Sequence, residues 1–502
     1  MFYKRLCITI LFALGMLSIA QAQPLPVPVS KDTSRKITLN GAYYYLFTPK
    51  KGQTLYSIAK AYSVSVDDIN ASNILVKDNG LKVGQDIKIP ANKSAPVTTT
   101  STTSTTNTTV KPPVAQTPAK TTIPGIPPST AIKDSLALAQ LRSKCKRSIK
   151  KGAYTIGLFL PLDADSTKGG KSTSSIALEF YEGALLAAED FKNDSVKLTV
   201  QVFDTKNDSV YINDILAKKT VKSLDLVIGP LFASGFQRVS SHMLTDSVIC
   251  VSPFSQTYKV VEGAPLAHKI TPTAITIVDQ CARFISKTYG NQNVVLLSTN
   301  NPKDQGTMSL YRDRLSSSMG AGGLTFKEHT ISAGGKIPES LFSTTAENLI
   351  IFPSSDQATV ALIVSQLSDL TYKFKIKLWG LNQWQTYDNL DLAKLSKVGL
   401  LFARTSYADK DNTQVTSINK RCRDKYKTDA SEYFYQGYDA MTYYANMLTK
   451  YGRNLNPCLL CEGEVKGVQT NFKYGVSNSS NGIENIAISI MQYKNNSIVK
   501  VN

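Results

Sequence analysis

Between Ala91 and Pro128 the chain is built from Thr, Ser and Pro, including an unbroken hydroxyl run from Thr98 to Thr106, with hardly any apolar side chain. A segment of this kind cannot bury a core. It therefore divides the 502-residue sequence into a short N-terminal part and a long C-terminal part that fold separately. As a random coil it reaches roughly 30–40 Å, enough for the two parts to move independently. The charge follows the same division. Of the formal net charge of +19, +8 lies in residues 91–150 and only +5 in the 352 residues after them. A large domain so nearly balanced lacks the basic face of a nucleic-acid-binding domain, and no aromatic-interleaved basic motif occurs, so nucleic acid is not an expected partner. The cations Lys144, Lys146, Arg147, Lys150 and Lys151 are expected to be a solvated lead-in to the large domain, with a membrane-surface helix as the alternative.

The first 22 residues have the pattern of a cleaved export signal. Lys4 and Arg5 precede an apolar run from Leu6 to Ala20, and Ala20-Gln21-Ala22 supplies a small-x-small cleavage site. The mature chain is expected to begin near Gln23, in the periplasm or outside the cell. No transmembrane segment is expected, because no later stretch is long and apolar enough to cross a bilayer. Cys7 lies at the front of the apolar run, which is the wrong place for a lipid-bearing cysteine.

Six cysteines follow the signal, and an oxidising compartment permits disulfides. Cys458-Leu-Leu-Cys461 is a candidate small disulfide loop. Its turn-rich setting, after Asn456-Pro457 and before Glu462-Gly463, favours a structural bridge or thiols over a redox centre. No metal site is expected, since His242, His268 and His329 are scattered and none is spaced to join that pair.

Residues 43–90 read as one small unit: a strand Tyr43–Phe47, a turn at Lys50-Lys51-Gly52, two short helices and a closing strand Asp86–Ile89 ended by Pro90. Thr54 is the expected N-cap of the first helix, whose apolar face is Leu55, Ile58, Ala59 and Tyr62. The second is expected to begin near Ser65. The sequence Lys51-Gly52-Gln53-Thr54-Leu55-Tyr56-Ser57-Ile58-Ala59-Lys60, then Val64-Ser65-Val66-Asp67-Asp68-Ile69 and Leu81–Pro90, resembles the LysM family over the whole unit. The resemblance implies a βααβ fold that binds peptidoglycan or another N-acetylglucosamine glycan in a groove, with Gly52, Gln53, Thr54 and Leu55 on one side and Ile74, Leu75 and Gly80 on the other. The chain departs from the family at Gln53, usually Asp, and at Pro49, usually β-branched. Ser57-Ile-Ala-Lys60 also fits a penicillin-interacting S-x-x-K pattern, but it sits in the amphipathic helix of a unit too small for that fold.

From residue 154 short β-rich runs alternate with amphipathic helices: strand Tyr154–Leu162; a helix with Ile176, Phe180, Ala184, Ala187 and Phe191 on one face; and strands Leu198–Phe203, Leu226–Gly229 and Val248–Ser252. This is the rhythm of a parallel sheet. It restarts after Thr273, giving an α/β domain of two lobes, approximately 154–273 with C-terminal elements, and 276–405. Ile228-Gly-Pro230, Val251-Ser-Pro253, Tyr435-Gln-Gly-Tyr438-Asp-Ala440 and the closing strand Ile486–Tyr493 resemble the type I periplasmic-binding-protein superfamily, which includes leucine/isoleucine/valine-binding proteins. The resemblance covers 154–502 and implies two Rossmann-like lobes with a small ligand, amino-acid-like in many members, between them at the C-terminal edges of the strands. The implied contacts are Ser234, Ser252, Ser255 and Gln256 from the first lobe, and Asn301, Gln383, Trp384 and Tyr407 from the second. Each polar residue also has an ordinary role as a loop or turn former, and Trp384 as core. The acidic partner that amino-acid binders use has only Asp388 as a candidate.

No G-x-S-x-G, Walker A, H-E-x-x-H or dinucleotide G-x-G-x-x-G motif occurs in the required setting, so no catalytic residue and no cofactor is expected. Glu182 and Glu189 are expected on a solvated helix face. The sequence thus points to a non-enzymatic protein tethered to the wall, either a receptor for a small molecule or a scaffold that docks a protein of wall synthesis or remodelling.

Overall fold

The computed structural model describes residues 29–32, 34–39, 42–50, 53–62, 64, 68–69, 86–90, 135–146, 150–163, 172–332, 334–476 and 482–501. The export signal, the expected helix start at Ser65 and the Thr/Ser/Pro-rich segment lie outside them. The chain falls into two units, Met1–Ala119 and Lys120–Asn502.

In the first unit, β1 (Lys36–Leu39), β2 (Ala42–Phe47) and β3 (Ile87–Pro90) form an antiparallel sheet with β2 in the centre, and α1 (Leu55–Tyr62) packs on it. Strand β1 was not anticipated. Residue Thr54 caps α1 as expected, and reciprocally: its Oγ1 accepts from Ser57 N (3.1 Å) while Ser57 Oγ accepts from Thr54 N (3.0 Å). The core is Phe47, Ile58, Ala59, Tyr62, Ile69, Ile87 and Ile89.

The second unit opens with α2 (Ser135–Lys146), in a stretch read from sequence as linker. There follow β4 (Ala153–Leu160), α3 (Ser172–Asp190), β5 (Lys197–Asp204), α4 (Ser209–Leu216), β6 (Leu226–Ile228), α5 (Ala233–Met243), β7 (Ile249–Ser252) and β8 (Ala267–Lys269). The second lobe contains α6 (Ala274–Tyr289), β9 (Asn293–Thr299), α7 (Gln305–Gly320), β10 (Lys327–Ile331), β11 (Asn348–Ile351), α8 (Gln357–Leu370), β12 (Ile376–Trp379), α9 (Leu392–Lys397) and β13 (Leu401–Arg404). The chain returns to the first lobe for α10 (Thr413–Tyr426), α11 (Glu432–Tyr451), α12 (Asn456–Leu459), β14 (Tyr474–Val476) and β15 (Ile483–Asn485). It ends in the second with β16 (Ser489–Lys494) and β17 (Ser497–Lys500). The strand orders are β14-β15-β8-β7-β6-β4-β5 and β10-β9-β11-β12-β13-β16-β17. All pairs are parallel except β14–β15, β13–β16 and β16–β17. Two mostly parallel seven-stranded sheets make the two-lobed α/β fold expected from the sequence. Three crossovers join the lobes: β8 to α6, β13 to α10 and β15 to β16.

The apolar stripe of α3 packs chiefly on α11. The backbones touch: a Cβ on Gly183 would lie 1.9 Å from Phe434 O, and one on Gly437 would lie 2.0 Å from Phe180 O. Each glycine costs helix propensity of about 1 kcal/mol, which the closer packing of Phe180, Ala184, Phe434 and Met441 offsets.

Helix α11 is tied to β8 through a buried polar chain. His268 Nε2 donates to Asn456 Oδ1 (2.7 Å), and its Nδ1 accepts from Tyr444 OH (3.2 Å), which in turn meets Tyr474 OH (2.7 Å). Burial pulls the His268 imidazole from its ordinary 6.5 down to about 4.

The structure corrects the reading of the cysteines. Cys458 is bonded to Cys145, with 5.0 Å between Cα atoms, and not to Cys461. The partner was unreadable because Cys145 belongs to α2, a helix whose sequence, Ser-Leu-Ala-Leu-Ala-Gln-Leu-Arg-Ser-Lys-Cys-Lys, has only a weak apolar face.

Two outcomes are expected. Gly437→Ala lowers the stability of the large domain by about 1–3 kcal/mol, because the methyl group meets a carbonyl that belongs to another helix. Gly320→Ala, with open space around its Cβ, is neutral or slightly stabilising; equal denaturant midpoints for the two variants would refute the contact. For His268 the unfolded chain binds the proton first as pH falls. The stability it supports is complete above pH 6.5 and declines toward pH 4, by up to about 3 kcal/mol. His268→Gln should flatten that part of the melting-temperature profile; an unchanged slope between pH 6.5 and 4 contradicts the assignment.

Candidate functional site

In the N-terminal unit the expected glycan groove is described on one side only. Gly52, Ile74, Leu75 and Gly80 lie outside the described residues. Gln53 is half-buried in the turn before α1, where its Oε1 accepts from Lys50 N (2.9 Å) and its own N–H donates to Lys50 O (3.1 Å). The amide that replaces the usual carboxylate therefore closes the turn that leads into α1. Thr54 is exposed and Leu55 half-buried at the start of that helix. The Ser57 hydroxyl is engaged in the cap, accepting from Thr54 N and donating to Thr54 O (2.8 Å).

In the large domain the C-terminal strand edges of the first lobe are shaped by close backbone contact. Gly229 ends β6 with φ +94°, and a Cβ there would lie 2.2 Å from Phe159 O, so a glycine is required before Pro230. The turn leads into α5, whose second residue, Ser234, is exposed. After β7, Pro253 O accepts from Thr271 Oγ1 (2.8 Å) and from Gln436 Nε2 of α11 (3.4 Å). Phe254 packs edge-on against Phe180 and Tyr433. This leaves Ser255 half-buried and Gln256 exposed beside it. Ser252 is fully buried, and its Oγ has no hydrogen-bonding partner among the described residues.

The second lobe uses its corresponding groups on itself. Asp304 is buried at the start of α7, and its carboxylate accepts from Ser355 N (2.9 Å), Ser355 Oγ (2.8 Å) and Ser354 Oγ (2.5 Å). Trp384 is core, 1% exposed; its Nε1 donates to Ser354 O (2.8 Å) and its ring packs on Phe352, which corrects its placement as a cleft contact. The reason is physical: the indole fills the space over Gly380, and its one donor finds a backbone acceptor inside. Asn301 Oδ1 accepts from Lys303 N (3.0 Å), closing the turn before α7. Gln383 Nε2 donates to Tyr387 OH (2.8 Å), which donates to Ser355 O (2.9 Å). Asp388 is exposed ahead of α9, which is capped by Asp391 instead.

Sequence reasoning missed the polar joints at the crossovers. Glu484 of β15 accepts from Thr273 N and from Thr276 Oγ1 (3.1 Å) at the start of α6, and its carboxylate lies 3.6 Å from the buried Lys269 ammonium. Burial lowers the Lys269 ammonium to about 8, opposed by the neighbouring Glu484 charge. The first and third crossovers are thereby joined. At the second, Tyr407 N donates to Gln469 O (2.7 Å), and the loop bearing Gln469 is held by Asp439 of α11, which accepts from Val468 N (2.6 Å), Gln469 N (2.9 Å) and Thr470 N (2.8 Å). Burial pushes the Asp439 carboxyl up to about 6 against the pull of those three donors. Tyr407 lines a cavity of about 340 Å³ with Arg404, Lys410, Glu432, Tyr435 and Gln469. It stands there apart from the other expected contacts. Among the described residues no group of three or more metal-ligating side chains occurs, and no helix is long and apolar enough to cross a membrane.

Residues 50–90 match the LysM domain family. No curated protein matches the chain. Among solved structures, an ABC transporter substrate-binding protein from Desulfitobacterium hafniense in complex with Leu is 14% identical, with a TM-score of 0.40 over 70% of this chain and 100% of its own. A leucine-binding protein from Thermotoga maritima is 15% identical, with a TM-score of 0.35 over 70% of this chain and 98% of its own. LpoA from Haemophilus influenzae is 14% identical, with a TM-score of 0.46 over 71% of this chain and 60% of its own. Residues 50–90 are thus a LysM domain, and it stands ahead of a two-lobed α/β domain.

Proposed function

We propose that this chain is an exported, non-catalytic binding protein held to the cell wall by its LysM domain, with the two-lobed domain as the working part. The observation that carries this reading is the joining of a LysM domain to a two-lobed domain in one chain. The LysM domain would bind peptidoglycan or a related N-acetylglucosamine glycan through Gly52, Gln53, Thr54 and Leu55 with Ile74, Leu75 and Gly80. A tether brings nothing to a protein that must carry ligand to a permease, so sensing or scaffolding suits the arrangement better than uptake.

Two occupants of the inter-lobe cleft follow. A small molecule, amino-acid-like in the simplest case, would be held from the first lobe by Ser234, Ser255 and Gln256, with the buried Ser252 hydroxyl behind them. A protein of wall synthesis or remodelling would dock on the lobes without a small ligand. The second reading is favoured by one specific observation: Asp304, Asn301, Gln383 and Trp384 spend their polar groups within their own lobe. A small ligand would have to find its partners almost entirely on one side.

Purified full-length protein is expected to sediment with purified peptidoglycan, and Leu55→Asp to weaken that binding with the circular dichroism unchanged; no retention by the wall would remove the tethering claim. A thermal-shift screen of amino acids, short peptides and wall fragments separates the two occupants. A ligand at 100 times its dissociation constant adds about 2.7 kcal/mol, a shift of a few degrees. Ser234→Ala or Ser255→Ala should then cost such a ligand about 1 kcal/mol, or fivefold in affinity. The absence of any shift is the result that protein docking predicts.

A further inference from the structure

The disulfide between Cys145 and Cys458 has a third cysteine beside it. Cys458 lies in α12, and the turn continues past it: Cys461 N donates to Cys458 O (3.1 Å) and Glu462 N to the same oxygen (3.0 Å). In such a turn residues three apart have Cα atoms about 5 Å apart, within the range a disulfide spans. Cys461 keeps its thiol and is partly exposed, whereas Cys250, Cys281 and Cys422 are buried elsewhere.

The helix on the other end of the bridge is weakly held by packing. Ala137, Leu141 and Cys145 of α2 are half-buried, Leu136 is 67% exposed, and no described side chain of α2 is fully buried. Between α2 and the segment after α11 lies a cavity of about 600 Å³, lined by Leu141, Lys144, Asn454, Pro457, Leu460 and Val476. A twelve-residue helix is marginal without tertiary support, and the covalent bond adds to the contacts that α2 makes with the segment after α11.

We propose that Cys145, Cys458 and Cys461 form an internal disulfide-exchange switch that undocks α2. The Cys461 thiol gives up its proton, and the thiolate attacks Cys458 Sγ. The Cys458–Cys461 bond forms as the Cys145–Cys458 bond breaks, and Cys145 leaves as a thiolate that takes up a proton. The exchange is redox-neutral and needs no outside oxidant or reductant. Burial raises the Cys461 thiol, with the Arg142 guanidinium of α2 drawing it down and Glu462 pushing it up. Arg142 leaves with the helix, so the charge that promotes the attack is removed once exchange is complete. The product state exposes Pro457 and Leu460.

The test uses full-length protein purified without reductant, held at pH 7, 8 and 9, trapped with N-ethylmaleimide, digested and mapped for disulfide-linked peptides by mass spectrometry. The expected product has Cys145 alkylated and Cys458 linked to Cys461. It should form at a rate independent of protein concentration that rises about tenfold per pH unit below the thiol pKa. Trypsin should cut it faster at Arg142 and Lys144, and Cys461→Ser should give none of it. Recovery of only the Cys145–Cys458 linkage from wild-type protein at pH 9 overturns the proposal. So does equal alkylation of Cys145 in Cys461→Ser, which would mean that Cys461 takes no part; should that variant fail to fold, the wild-type map decides.

Discussion

The contact on which the large domain depends is the meeting of two helix backbones at Gly183 and Gly437, where neither side has room for a Cβ. It fixes α11, and α11 reaches the first-lobe rim, the second crossover and β8. Gln436 donates to the Pro253 carbonyl at the first-lobe rim. Asp439 gathers three backbone N–H groups of the loop that meets Tyr407 at the second crossover. Tyr438 donates to Asp190, which pairs with Arg421 of α10, and Tyr444 reaches His268 on β8. One helix thus holds a sheet, a rim loop and a crossover in register, and a shift along its axis would move all three.

The two lobes treat their strand edges differently. The first leaves serine and glutamine side chains exposed at the ends of its central strands, over a buried Ser252 hydroxyl. The second closes its edge with Asp304, Ser354, Ser355, Trp384 and Tyr387 bound to one another. Buried polar groups that are already satisfied gain little from a ligand, whereas an orphaned hydroxyl gains a bond it lacks. The asymmetry leaves the second-lobe edge with its polar groups engaged and the first-lobe edge with one that is not.

The sequence made the architecture legible because its patterns are local. Alternating βαβ rhythm, the Thr54 cap and the apolar stripe of α3 need only neighbouring residues to be read. The site was less legible, and the failures share a cause. Asn301, Gln383 and Trp384 sit on the expected edge, yet their partners, Lys303, Tyr387 and the Ser354 carbonyl, are set by loop conformation that no short motif records. The Cys145–Cys458 bridge spans 313 residues, and its first cysteine lies on a helix that buries too little for its periodicity to show. Glu484 and Lys269 come from strands only three residues long, below the length at which alternation is informative. Glycine at 437 was visible as part of Tyr435-Gln-Gly-Tyr438, but not as the place where another backbone passes.

The most direct measurement of α11 as the shared support is amide hydrogen exchange, followed by mass spectrometry, on the full-length protein and its Gly437→Ala variant. Faster exchange should appear together at residues 253–256, 404–411 and 467–470, with the edge of the second lobe at 299–304 and 354–356 unchanged. Acceleration confined to the helix around residue 437, or spread evenly over both lobes, would contradict the account.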